Sequence, residues 1–182
     1  GVSFLGAPDV SYLKATGFPL EETPYLQFGL LKGDGRFKPA AQLNLAAPTL
    51  TVTSAEPAGG VTRVKGTLRG GRGGLQLGIG VAPLSGITAI KVAGQLAADR
   101  KRLDGKEPTV VRLSGIGAEG VEVEFEIEAG KTPDVELIER SRLPDSDEAR
   151  ALTAARPKDA APVHAGDTAL VGVTFNDWTV KP

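Results

Sequence analysis

The sequence predicts a mainly β protein, an antiparallel β-sandwich of the immunoglobulin or jelly-roll kind with one short helix near residues 145–155. Three observations carry that expectation. Residues Val121 to Glu128 alternate strictly between apolar and acidic side chains. Successive side chains on a strand point to opposite faces, so Val121, Val123, Phe125 and Ile127 share one face while Glu122, Glu124, Glu126 and Glu128 share the other. A helix would scatter the same apolar residues around its whole circumference. Further, 24 glycines and 13 prolines punctuate short β-rich runs, and helix-compatible stretches are scarce. Finally, the runs recur at short intervals with turn residues between them, the rhythm of a sandwich or barrel.

Taken in order, residues 1–47 are the least regular and read as a segment that leads into, or packs on, a sandwich spanning 48–182. Tyr25 to Leu31 has the composition of a strand, with a turn at Gly33-Asp34-Gly35. Pro39 to Pro48, rich in alanine, reads as a linker or an edge approach. Thr49 to Thr53 and Val61 to Leu68 are strands, and Gly70-Gly71-Arg72-Gly73-Gly74 reads as a hairpin loop because glycine accepts positive φ at no steric cost. Leu75, Leu77, Ile79 and Val81 then form the return strand. Strands are expected at Ile87–Val92, Thr109–Leu113, Val121–Glu128 and Val135–Ile138, with a closing strand through Leu170, Val171, Val173 and Phe175 that ends near Trp178. For the helix, Asp145 is placed to cap the first amides while Glu148 reaches back, ahead of Ala149 to Ala155, and Pro157 stops it.

Composition removes whole classes of chemistry. With no cysteine there is no thiolate zinc site, cysteine nucleophile or redox pair. The net charge is −1 and the basic residues are dispersed, which leaves no electrostatic footprint for nucleic acid. No apolar run approaches the roughly 18 residues a membrane helix needs, so this piece is expected neither to insert into a membrane nor to carry an intact signal peptide. Methionine is absent, position 1 included, and the chain reads as a fragment or processed product of something larger.

The search for a reactive constellation ends without one. His164 is the sole histidine, and Asp167 is its one nearby carboxylate, too few for a metal site. Ser114, in Arg112-Leu113-Ser114-Gly115-Ile116, lacks the leading glycine of a nucleophile elbow. Asp145-Ser146-Asp147 resembles the opening of a calcium loop, but Arg150 stands where that loop bends at glycine. Gly78 and Gly80 precede Pro83 rather than a third glycine, so no dinucleotide fingerprint forms. Arg69 to Gly74 looks like one unit of an RNA-binding glycine-arginine tract but reads as a loop tip between strands. The four glutamates of 121–128 are spaced roughly 7 Å apart along a strand, too far for all four to share one cation, and read as a solvated sheet face or a protected edge. Exposed aromatic platforms for sugars would have to come from Trp178, Tyr12, Tyr25 or Phe37, since Phe125 and Phe175 sit at core positions. No catalytic, cofactor-binding or metal-binding residue is assigned.

A set of motifs nonetheless occurs in a recognisable order: Ala47-Pro48-Thr49-Leu50-Thr51-Val52, the strand into the glycine loop, Val135-Glu136-Leu137-Ile138-Glu139-Arg140-Ser141-Arg142-Leu143-Pro144, Arg156-Pro157-Lys158-Asp159 and Gly166-Asp167-Thr168-Ala169-Leu170-Val171. Over roughly residues 45–176 this resembles the extracytoplasmic C-terminal β-sandwich of bacterial multi-pass membrane zinc aminopeptidase-like proteins, relatives of the vacuolar membrane protease. It departs from their pattern at Arg142, where they usually carry an aromatic followed by glycine. The resemblance implies a non-catalytic accessory domain on the periplasmic face, tethered to the membrane in the full-length protein. It implies the peptidase domain of the same chain as partner and places the zinc and its ligands in that domain, not here. The alternative from the β pattern alone is an independent glycan-binding or adhesion module. Neither reading fixes an oligomeric state.

Overall fold

The computed structural model describes residues 43–156, 158 and 168–181, apart from the side chains of Glu148 and Leu152, together with the backbone of 20–22 and 34–36. The elements run β1 (Leu20–Glu22), β2 (Asp34–Arg36), β3 (Thr49–Ala58), β4 (Val61–Arg69), β5 (Gln76–Val81), β6 (Ile87–Val92), β7 (Gln95–Ala98), α1 (Arg100–Leu103), β8 (Thr109–Ser114), β9 (Val121–Glu128), β10 (Val135–Arg142), α2 (Asp147–Ala155) and β11 (Thr168–Phe175). They fall into two compact units, Gly1–Asn44 with Arg142–Ala169, and Leu45–Ser141 with Leu170–Pro182.

In the first unit β1 and β2 pair antiparallel, Leu20 opposite Arg36. The turn expected at Gly33–Gly35 is thus corrected at two of its residues: Asp34 and Gly35 are strand, opposite Glu22 and Glu21. Ladder pairing has overridden glycine's local preference there. Gly33 and the strand expected at Tyr25–Leu31 lie outside the described residues. The helix α2 forms where expected, but its cap is corrected. Ser146, extended at φ −131°, accepts from the Ala149 amide. The carboxylate of Asp145 is turned instead to the Arg150 guanidinium. Arg156 ends the helix in an extended conformation, as the residue before a proline must.

The second unit is the sandwich. A five-stranded sheet has the order β3-β4-β9-β6-β7, and a four-stranded sheet the order β11-β10-β5-β8. The pairs β3·β4, β4·β9, β9·β6 and β6·β7 of the larger sheet are antiparallel, as are β5·β8 and β5·β10 of the smaller. The core lies between them. Leu68, Val64, Val123, Phe125, Ile127 and Ile90 face inward from the larger sheet, Ile79, Val81, Val135 and Leu137 from the smaller.

One expectation about connectivity is overturned. The glycine segment 70–74 is no hairpin: both sides of β4 are taken by β3 and β9, so the chain crosses to the opposite sheet and continues as β5. Gly70, Gly71 and Gly74 answer to crowding, whereas Gly73 has open space around it and a φ of 62°. A Cβ at Gly71 would lie 2.5 Å from the Ala47 carbonyl oxygen, inside any real contact. Where a true hairpin occurs, between β6 and β7, the two-residue turn Ala93-Gly94 has φ of 48° and 77°, matching the right-handed twist of the strands it joins. The short strand β7 and the single-turn helix α1 were not anticipated from the sequence. Asp99 caps α1 by accepting from the Arg102 amide, and Leu103 is buried beneath it.

Candidate functional site

The acidic row of β9 lies at the centre of the larger sheet, between β4 and β6. The ladder sets Glu124 between Lys65 and Lys91, and Glu126 opposite Arg63. The result is an ion-pair lattice rather than a bare acidic face. Glu124 receives Lys91 Nζ at 2.7 Å and Arg63 Nε at 3.3 Å, with Lys65 Nζ at 3.7 Å. Glu126 takes Arg63 Nη2 at 3.3 Å and Lys91 Nζ at 3.7 Å. Arg100 closes on Glu128. Of the four, Glu122 alone is fully exposed, whereas the Glu124 side chain retains only 14% of its accessible surface. The expectation of a uniformly solvated row is corrected accordingly. The cause is the cross-strand register, which places three cations beside two carboxylates.

The hydrogen bond from Lys91 holds the Glu124 carboxyl below the usual carboxylate range, against the desolvation that opposes it. Reciprocally, Glu124 raises the Lys91 ammonium. Both groups therefore stay ionised through the neutral range. Such a lattice can position charge and tie the three neighbouring strands of the face together. The Glu124–Lys91 pair, shifted toward its charged forms, is set for structure rather than for proton transfer near pH 7.

A second carboxylate sits on β10. Glu139 is fully buried, on the same inward face as Val135, Leu137 and Ser141. Its oxygens accept from the backbone amides of Gly71 at 2.7 Å and Arg72 at 3.0 Å. Arg72 Nε donates to Ser141 Oγ at 2.9 Å beside it. Gly74 is tight against the same side chain, where a Cβ would stand 2.6 Å from Glu139 Oε1. The inter-sheet crossover is thus pinned to β10 by a buried carboxyl group. Sequence reasoning missed this residue, although a signal was present: the two-residue period continues past Ile138 and puts Glu139 inside.

The remaining sequence candidates disperse. His164 and Asp167 lie outside the described residues, as do Tyr12, Tyr25 and Phe37. Ser114 ends β8 and its hydroxyl accepts from Gln76 Nε2 at 3.4 Å. Asp147, with Asp145, pairs with Arg150. Gly78 lies inside β5, where an added Cβ would meet Ile138 and Val110 at ordinary contact distance. Arg69 Nε donates to the Glu119 carbonyl oxygen. Glu136, on β10, accepts from Thr174 at 3.2 Å, and burial raises its carboxyl above the usual range. Trp178 packs edge-on against Phe125 at 5.0 Å and Phe175 at 5.1 Å, and its indole N–H donates to the Pro133 carbonyl oxygen at 2.8 Å. It is a lid on the core. Phe125 and Phe175 face the core as expected.

Among the described residues no group of three or more His, Cys, Asp or Glu is placed to hold a metal ion, and no helix is long and apolar enough to cross a membrane. No family model, curated protein or solved structure matches the chain.

Proposed function

We propose that this chain is a non-catalytic accessory β-sandwich of a membrane-anchored zinc aminopeptidase-like protein. It lies on the extracytoplasmic side and serves to pack on the peptidase domain of the same chain or to present a surface to that domain's substrates or partners. The motif order from Ala47 to Val171 motivates the reading. The observation that carries it is how five carboxylates of β9 and β10 are used. Glu124, Glu126 and Glu128 are engaged by cations, Glu139 by backbone amides and Glu136 by Thr174. Charge here organises strands and crossovers. Zinc belongs, on this reading, to the peptidase domain. With Trp178 engaged by two phenylalanines, no described side chain specifically favours the glycan-binding alternative.

The test has two arms. The purified chain is expected to hold no stoichiometric zinc by elemental analysis and to leave aminoacyl-p-nitroanilides intact. The parent gene is expected to encode a zinc-peptidase domain followed by hydrophobic helices upstream of this region. Stoichiometric zinc, measurable hydrolysis, or a parent reading frame without a peptidase domain overturns the proposal.

A further inference from the structure

The edges of the sandwich are guarded unequally. Arg102 covers two of them at once: Nη1 donates to the Ala97 carbonyl oxygen on β7 at 3.0 Å and Nη2 to the Val110 carbonyl oxygen on β8 at 3.2 Å. These are edge strands of the two sheets, and their guard sits on a helix whose leucine is buried. The opposite edge of the larger sheet is β3, a strand of ten residues. Its second half carries its own defences. The ladder slips at Thr53, Glu56 adds a charge, and Pro57 lacks an N–H. The first half, Thr49-Leu50-Thr51-Val52, has none of these. It is regular, uncharged and built of good strand formers.

That undefended half is where the segment after Trp178 comes to rest. The Lys181 amide donates to the Val52 carbonyl oxygen at 3.0 Å. Asp177 shapes the approach. It accepts from the Thr179 amide and hydroxyl and pairs with the Lys181 ammonium. Trp178 anchors the segment in the core. Among the described residues, the guard on β3 is therefore a few half-exposed residues beyond an aromatic anchor, holding the edge through a single backbone bond.

We infer that Thr49–Val52 is a strand-pairing surface for a second copy of this chain, kept closed by Lys181. When the segment lifts, β3 meets the same strand of another molecule antiparallel. Antiparallel self-pairing is two-fold symmetric; because Val52 turns its carbonyl to the open edge, Leu50 does too, and the pairing places Leu50 opposite Val52 and Thr51 opposite Thr51, with no like charges juxtaposed. The bulge at Thr53 limits the ladder to this short stretch. The pairing is accordingly weak and reversible.

The experiment uses Lys181→Pro, which removes the donating N–H, against Lys181→Ala, which keeps it. In sedimentation equilibrium over a rising concentration series, Lys181→Pro is expected to double its apparent mass while the parent chain and Lys181→Ala remain monomeric. Adding Thr49→Lys to Lys181→Pro is expected to restore the monomer by charging the edge. A folded Lys181→Pro protein that stays monomeric overturns the inference, and so does a dimer that Thr49→Lys leaves intact. If Lys181→Pro lacks the native circular dichroism spectrum, deletion of residues 179–182, which spares Trp178, is read by the same criteria.

Discussion

Glu124 on β9 and Glu139 on β10 belong to strands that follow one another in the chain yet lie in different sheets. On β9 the alternation turns glutamate outward, and the neighbouring strands meet it with Lys65, Lys91 and Arg63. On β10 the alternation turns glutamate inward, where water is excluded and backbone amides of the crossover supply the counter-charge. The same residue type thus makes two kinds of structure. The lattice is redundant, because Glu124 and Glu126 each have several cationic partners whose side chains also reach solvent. The buried Glu139 carboxyl has no substitute for the amides it holds, nor they for it.

Removing the buried member should therefore have the largest effect. Glu139→Ala leaves the amides of Gly71 and Arg72 without their acceptor and opens a void, and is expected to cost about 3 kcal/mol or more of stability. A fall in the urea midpoint with an unchanged slope is the readout, and a midpoint within error of the parent would refute the pinning role. Attacking the same region from the loop side comes next. Gly71→Ala drives a methyl into the Ala46 and Ala47 backbone and is expected to cost about 2 kcal/mol by forcing the crossover outward.

The lattice should yield less. Glu124→Gln is expected to cost about 1 kcal/mol, an effect that shrinks in high salt while that of Glu139→Ala persists. Its pH dependence has a definite sign. Because the folded-state carboxyl of Glu124 is depressed, its contribution is present above the unfolded value of 4.5 and is lost as pH falls through the lower folded value. Melting temperatures of the parent and Glu124→Gln should accordingly converge below about pH 4.5. A gap that widens on acidification would contradict the lattice. Glu122→Gln, at the exposed end of the row, should shift stability by no more than about 0.5 kcal/mol.

The strand with strong alternation was legible to the residue: β9 begins and ends where the pattern does, and β6 keeps its expected bounds although a register shift breaks its alternation. Alternation reports a face directly, which is why the inward set Val123, Phe125 and Ile127 emerged from letters alone. Connectivity was less readable. Glycines at 70–74 announce that the chain turns, but whether the next strand pairs or crosses depends on who already flanks β4, a fact held in β9 some fifty residues on. Gln95-Leu96-Ala97-Ala98 has no β-branched residue, and β7 exists because the Ala93-Gly94 turn delivers it to β6. Asp145 and Ser146 are both good caps, and one position of register decided between them. The charge pairing of Glu124 needed the identity of residues across two ladders, which spacing along one strand does not contain.

The central position of β9 also has a consequence in time. On the ribosome β3, β4, β6 and β7 are all synthesised before the strand that lies between β4 and β6. Until Glu128 has emerged, β3·β4 and β6·β7 are the only native pairs of the larger sheet available to the chain, and the flanks that β9 fills are open. Closure is a late, non-local event, slow by topology and exposed to wrong pairing while it waits. The acid row on β9 makes the latecomer soluble during that interval, and the basic residues already in place on β4 and β6 offer it a register on arrival.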